Sequence, residues 1–69
     1  MKKTIIIKGM SCEHCEMHTK QELEKINGVV SAAADADEGQ AVLELEKKVA
    51  EAEIKAAVEE AGYKYIKTV

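Results

Sequence analysis

The chain has 69 residues, of which 46% are hydrophobic and 33% charged, and its formal net charge is −3. A chain of this length buries only about 60% of the surface that its unfolded form exposes, which leaves one thin core and no room for a deep substrate cleft. It has few aromatic side chains for base stacking, and its acidic balance lacks the basic excess that nucleic acid or anionic lipid requires. We expect one globular domain over residues 1–69 that is not an enzyme and binds no nucleic acid.

The amino-terminal segment begins like a signal peptide but is too short to act as one. Its apolar run, Ile5–Ile7, ends at Lys8. Neither a secretion signal nor a membrane span can be built from three apolar residues. We therefore expect a cytoplasmic protein with no direct membrane insertion. In that reducing compartment a Cys-x-x-Cys pair is a metal or redox site rather than a structural disulfide.

The first half of the chain predicts a strand, a helix and a second strand. Lys3–Lys8 is a β-branched run, and Gly9 ends it. A buried stripe at spacings of four, four and three residues then predicts an α-helix from about Cys15 to Ile26. Val29–Asp35 is predicted as a weak strand, because its three consecutive alanines have poor β-propensity.

The second half predicts a hairpin partner, a second helix and a last strand. A turn at Asp37–Gln40 precedes the alternating pattern of Ala41–Leu45. Ala50–Ala61 is an amphipathic helix and Tyr63–Val69 a final strand. The β-α-β-β-α-β order predicts an α+β ferredoxin-like sandwich, with a four-stranded antiparallel sheet and two helices on one face. Because this fold hosts many functions, the function has to be argued from the site.

Two thiols, Cys12 and Cys15, lie between the first predicted strand and the first predicted helix. The positive end of a helix favours the thiolate, which is the form that binds metal. Two thiolates select soft ions such as Cu(I), Hg(II), Cd(II) or Zn(II) over hard ions. Cu(I) and Hg(II) accept two ligands, whereas Zn(II) generally takes four and would need His14, His18 or an acidic side chain. We predict one Cu(I) bound by the two cysteines and passed on by ligand exchange.

Two alternatives stay open. The first is a Zn(II), Cd(II) or Hg(II) carrier in which His14 or His18 is an additional ligand. The second, from a different class, is a thiol-disulfide redox protein, which would require an unusually acidic thiol even without metal. Met10 is interpreted as core packing that anchors the loop rather than as a ligand. An exposed two-thiolate site also predicts a metal-bridged homodimer at high copper.

The segment Gly9-Met10-x-Cys12-x-x-Cys15 resembles the signature of the heavy-metal-associated domain family, and the resemblance covers essentially the whole chain. Further positions that match the family are Leu23, Ile26, Gly28, Val29 and the closing Ala61-Gly62-Tyr63. Two positions depart from the expected pattern. Thr19 stands where the family usually has an apolar core residue, and Ala50 stands where a helix N-cap would be expected.

Within the family, Ser11, His14 and Tyr63 look most like free-standing bacterial copper chaperones. The resemblance implies Cys12 and Cys15 as ligands, with Met10 as a buried prop and Tyr63 beside the site. It also implies the partners: the metal-binding domain of a copper-transporting P-type ATPase, and a copper-responsive repressor.

Overall fold

The computed structural model describes all residues from Met1 to Val69. Its elements are β1 (Lys2–Lys8), α1 (Glu13–Glu24), β2 (Val29–Asp35), β3 (Gln40–Leu45), α2 (Glu51–Glu60) and β4 (Lys64–Thr68). The strands form one antiparallel sheet in the order β2-β3-β1-β4. This confirms the predicted βαββαβ ferredoxin-like fold. Neither helix is long and apolar enough to cross a membrane.

The largest differences from the predicted boundaries are at the two ends of α1, which ends at Glu24 and not at Ile26. The helix also begins at Glu13 and not at Cys15. The apolar pattern did not predict this start, because the first turn of the helix is polar. Cys12 precedes it with an extended backbone at φ −157° and ψ 174°. The carbonyl of Cys12 accepts the N–H of Glu16 at 3.1 Å, as the residue before a helix should. Both thiols therefore belong to the start of one helix.

The core lies between one face of the sheet and the two helices. Alternate residues of β1 and β3 point to that face, as the period of a strand requires. The fully buried large side chains there are Ile5, Leu23, Leu43, Ile54, Val58 and Thr19. Each apolar member contributes about 1.5–3 kcal/mol by leaving water. Thr19 is the one polar residue of the buried set.

The strand predicted as weak, β2, is fully formed. It pairs along its length with β3 and is interrupted only by an irregularity at Val30. Of its alanines, Ala32 is buried and Ala34 half-buried on the core side. Pairing with β3 and the cover that α1 provides outweigh the poor β-propensity of the alanines.

Candidate metal centre

The loop between β1 and α1 turns sharply at Gly9. Gly9 has φ +108°, a conformation that side chains with a Cβ rarely adopt. A Cβ at this position would also stand 3.4 Å from the ring of Tyr63. The turn therefore brings the loop directly against Tyr63, which follows α2.

The structure brings the two predicted ligands together. Cys12 is exposed and Cys15 partly buried against the core, and both are free thiols. Their Sγ atoms are 3.2 Å apart, well beyond the ~2.05 Å of a disulfide. The hydroxyl of Ser11 lies 3.9 Å from the Cys15 sulfur. The result is a pair of adjacent sulfurs at the surface, held by the first turn of α1.

The Cys15 thiol is acidic. Its pKa falls from an ordinary value of 9.0 to about 6, chiefly because of the Tyr63 hydroxyl, then the backbone of Ser11 and the thiol of Cys12. Partial burial acts in the opposite direction. The partial positive charge at the N-terminal end of α1 also favours the thiolate, as these donors do. Cys15 is therefore largely a thiolate at neutral pH, with no metal required to make it one.

Tyr63 is the donor that matters most to Cys15. Its own pKa rises to about 12, because it donates toward the Cys15 sulfur, is partly desolvated and lies near both thiols. The two groups do not reach the geometry of a normal hydrogen bond, so Tyr63 acts as a nearby donor that favours the thiolate. The phenol keeps its proton over the whole range in which Cys15 titrates.

Met10 lies in the core beneath the loop and not beside the thiols. Its side chain is 8% exposed, and its Sδ accepts a hydrogen bond from the Thr19 hydroxyl at 3.4 Å. Sequence reasoning missed this role of Thr19. The one available signal was its position, four residues after Cys15 on the buried stripe of α1.

The histidines predicted as additional ligands, His14 and His18, are both exposed. No group of three or more His, Cys, Asp or Glu side chains is arranged to hold one metal ion. Glu16, next to Cys15 in sequence, points its carboxylate at the backbone N–H of Ala36, 2.6 Å away. The protein side chains at the site therefore offer two sulfurs.

Fold and site together define a small α+β domain with two neighbouring thiols at its surface, of which Cys15 is acidic. Residues 4–64 match the family described as the heavy-metal-associated domain. The chain belongs to this family.

Relatives and solved structures agree with that assignment. A copper chaperone CopZ of Staphylococcus haemolyticus is 40% identical over 62 residues, which cover 88% of this chain and 91% of the relative. The structure of a CopZ metallochaperone is 33% identical with a TM-score of 0.88, and the match covers 96% of this chain and 100% of that one. A copper-binding domain from HMA7, a P-type ATPase, is 26% identical with a TM-score of 0.84, over 97% of this chain and 95% of that domain.

Proposed function

We propose that this protein is a copper metallochaperone. It binds one Cu(I) through the thiolates of Cys12 and Cys15 and transfers it to a metal-binding domain of a copper-transporting P-type ATPase. The observation that supports this best is the pair of surface sulfurs 3.2 Å apart with no third ligating side chain beside them. The likeness to CopZ chaperones and to an ATPase copper-binding domain supports the same function. The protein acts as a carrier and not as an enzyme.

The donor set favours Cu(I) over Zn(II). Two thiolates suit a soft ion, whereas zinc generally completes a tetrahedron. A two-coordinate ion takes its ligands from opposite sides, so metal–sulfur bonds as long as the ~2.3 Å of zinc thiolates would set the sulfurs about 4.6 Å apart. Binding would thus open the pair from 3.2 Å. The exposure of Cys12 makes room for that movement without disturbing the core.

Transfer proceeds by exchange of thiolates around Cu(I). A thiolate of the acceptor attacks the exposed ion as a third ligand, and the bond to Cys12 breaks. A second acceptor thiolate then replaces Cys15, and the two chaperone sulfurs are released as thiolates. Copper stays Cu(I) throughout and is never free. Cys15 is the last to leave, because it is the less exposed of the two thiols.

Two further partners remain predictions: a copper-responsive repressor as an alternative acceptor, and a metal-bridged homodimer at high copper. The exposed sulfur of Cys12 is accessible to either. Size-exclusion chromatography of the copper-loaded protein at high concentration tests the dimer. A monomer under those conditions contradicts it.

A second candidate function is a thiol-disulfide redox protein, and the acidic Cys15 is the observation that favours it. The surface holds no pocket in which a substrate would be oriented. The reduction potential separates the two functions. A redox protein needs a disulfide whose reduction potential lies near the potential of the cytosolic glutathione pool. A metal carrier has no such requirement.

An anaerobic competition titration at neutral pH tests the proposed function. Cu(I) and then Zn(II) are set against chromogenic chelators for the wild type, Cys12→Ser, Cys15→Ser and His18→Ala. We expect one Cu(I) per chain, bound far more tightly than Zn(II) and lost only in the cysteine variants. If Zn(II) competes well and His18→Ala weakens it, the site is a zinc-type site and the copper function is wrong.

The transfer step needs its own measurement, because tight binding alone does not show delivery. The release of Cu(I) is followed with and without an acceptor domain that carries two thiols. Release that is much faster with the acceptor supports ligand exchange. A metal that leaves equally fast without the acceptor contradicts it.

A further inference from the structure

The strand β2 lies at the edge of the sheet, with β3 as its only neighbouring strand. In an antiparallel pair, residues that bond to the neighbouring strand alternate with residues whose N–H and C=O groups point away from it. The N–H of Ala32 bonds to a side chain of α1 and not to β3. The N–H groups of Ala34 and Ala36, two and four residues later, therefore point outward as well.

Two glutamates of α1 occupy outward N–H groups of this edge. Glu24 accepts the N–H of Ala32 at 3.1 Å, and Glu16 accepts the N–H of Ala36 at 2.6 Å. Eight residues of an α-helix rise about 12 Å, and four residues of a strand about 13 Å. The two carboxylates are therefore spaced along α1 as the two N–H groups are spaced along the edge.

The lysine midway between these glutamates adds a charge but no acceptor. Lys20 is paired with Glu24 at 3.5 Å, and its ammonium group can only donate hydrogen bonds. It therefore cannot bond to the N–H of Ala34, which lies midway between Ala32 and Ala36. This N–H is the one outward donor in the middle of the edge that faces no carboxylate.

The opposite edge of the sheet, β4, is protected by its own sequence. It is five residues long and contains Lys64 and Lys67, and its pairing with β1 is irregular. Short length, lysine side chains and irregular pairing each discourage the addition of another strand. β2 has seven residues, Val-Val-Ser-Ala-Ala-Ala-Asp, with no lysine, glycine or proline, and it is regular from Ser31 to Asp35. Its protection must come from outside the strand.

The strand that fits this edge best is β2 of a second copy. Antiparallel pairing of two identical strands is self-complementary, because each residue meets in the partner the residue that it serves in turn. Pairing centred on Ala34 would place Ala32 of each copy opposite Ala36 of the other. These small side chains neither repel one another nor block the approach of the two backbones.

We propose that Glu16 and Glu24 keep the protein from associating with itself: by holding the outward N–H groups of β2, they prevent β2 of a second copy from pairing with it. The inference is independent of the proposed function, since no metal takes part. The dimer that the glutamates prevent also differs from the metal-bridged homodimer, which forms through the exposed thiols and only with copper.

Sedimentation equilibrium tests the proposal on reduced, metal-free protein with a chelator present, so that neither disulfides nor copper can link two chains. We expect the wild type to keep the mass of one chain, and Glu16→Ala combined with Glu24→Ala to rise toward twice that mass with concentration. The control, Glu13→Ala combined with Glu22→Ala, removes two charges from the same helix but no bond to β2, and should stay monomeric. A folded Glu16→Ala, Glu24→Ala protein that stays monomeric overturns the proposal.

Glutamine at both positions separates the hydrogen bonds from the charges. Glu16→Gln combined with Glu24→Gln keeps an acceptor oxygen at each position and should remain monomeric. Association as strong as in the double alanine variant would mean that charge and not the bonded N–H groups closes the edge, which overturns the proposal. If circular dichroism shows that the double alanine variant does not fold, the two single alanine variants carry the test. Each frees one N–H group and should associate, and two monomeric single variants overturn the proposal.

Hydrogen exchange at Ala34 locates the contact. Its N–H faces no carboxylate, so the loss of the glutamates alone does not protect it, whereas pairing with a second copy should slow its exchange by about tenfold. Ala34→Pro, added to the double alanine variant, removes this N–H where β3 does not use it and should restore the monomer. Association that leaves Ala34 unprotected, or that survives Ala34→Pro, arises at another surface and overturns the proposal.

Discussion

The two helices cover the same face of the sheet but are held there by different means. α2 rests on Ile54, Ala57 and Val58, and none of its side chains makes a hydrogen bond or an ion pair. α1 buries only Thr19 and Leu23, and three of its side chains make polar tertiary contacts.

These polar contacts of α1 are directional. The Thr19 hydroxyl bonds to Met10, and two glutamates accept backbone N–H groups near or in β2. Glu16 accepts from Ala36 at 2.6 Å and Glu24 from Ala32 at 3.1 Å. Apolar packing stabilises without fixing a direction, whereas hydrogen bonds fix orientation at modest net gain. We infer that α2 supplies stability and that α1 supplies the geometry of the thiols.

The largest expected effect tests the stabilising role of α2. Ile54 is fully buried, and Ile54→Ala should lower the free energy of unfolding by about 2–5 kcal/mol, because it removes apolar surface and leaves a cavity. Urea unfolding measures the change. Lys55→Ala, on the exposed side of the same helix, is the control and should stay within about 0.5 kcal/mol. The folded Ile54→Ala protein should keep its Cu(I) affinity, and a parallel loss of affinity would contradict the division between the helices.

The next effect is on acidity. Tyr63→Phe should raise the pKa of Cys15 from about 6 toward 9.0, because it removes the main donor to the thiolate. The pH dependence of alkylation, resolved by peptide, measures the pKa. Tyr65→Phe is the matched control, since the Tyr65 hydroxyl bonds to Thr68 and not to the thiols. A pKa of Cys15 that stays near 6 in Tyr63→Phe, or that changes equally in the two variants, would show that the Tyr63 hydroxyl is not what lowers it.

The direction in which the stability of the fold changes with pH follows from the lowered pKa of Cys15. A thiol whose pKa is lower in the folded state stabilises the fold above its unfolded pKa, here about 9, and this contribution is lost as pH falls through about 6. The wild type should therefore lose this contribution to stability between pH 9 and pH 6. Tyr63→Phe should lose less over that interval.

A smaller effect tests the polar attachment of α1 to β2. Glu24→Ala removes the acceptor for the Ala32 N–H in a partly buried position and should cost about 1–2 kcal/mol, with faster hydrogen exchange at Ala32. Glu24→Gln keeps an acceptor oxygen and should recover much of the loss. The control is Glu22→Ala, whose only partner is the exposed Lys25, and its cost should be under about 1 kcal/mol. Equal costs for the two alanine variants would mean that the bond to β2 contributes nothing.

Sequence reasoning predicted the order of the elements and the bounds of β2. Strands and helices repeat their apolar residues at different spacings along the chain, and these spacings can be seen without knowing the fold. It also predicted that Cys12 and Cys15 would converge, since their spacing at a helix start leaves little freedom. The predicted start and end of α1 were each wrong by two residues. Exposed polar residues at the start carry no periodic signal, and the apolar Ile26 lies just beyond the last helical residue.

The contacts that the sequence did not predict are those between a side chain and a distant partner. Glu16 and Glu24 have the composition of a solvated helix face, yet their carboxylates bond to backbone N–H groups that only the packing of α1 on β2 brings near. The sequence showed that Thr19 departs from the family pattern but did not predict its hydrogen bond to Met10. The position of Tyr63 beside the thiols was predicted from the family resemblance alone. The sequence pattern, a tyrosine after a helix-ending glycine, is equally typical of an ordinary strand residue.

The smallest expected effect concerns the start of α2. Ala50 precedes the helix with an extended backbone and no side-chain cap, while its carbonyl already accepts the N–H of Glu53 at 3.1 Å. Ala50→Ser would complete the pattern in which a capping hydroxyl and a glutamate three residues later satisfy each other's backbone N–H groups. It should stabilise the fold by about 1 kcal/mol, measured by urea unfolding. Ala52→Ser, inside the same helix, controls for the hydroxyl alone and should not stabilise. The pKa of Cys15 should not change in either variant, because both substitutions lie at the start of α2, whereas Tyr63, which lowers that pKa, follows its other end.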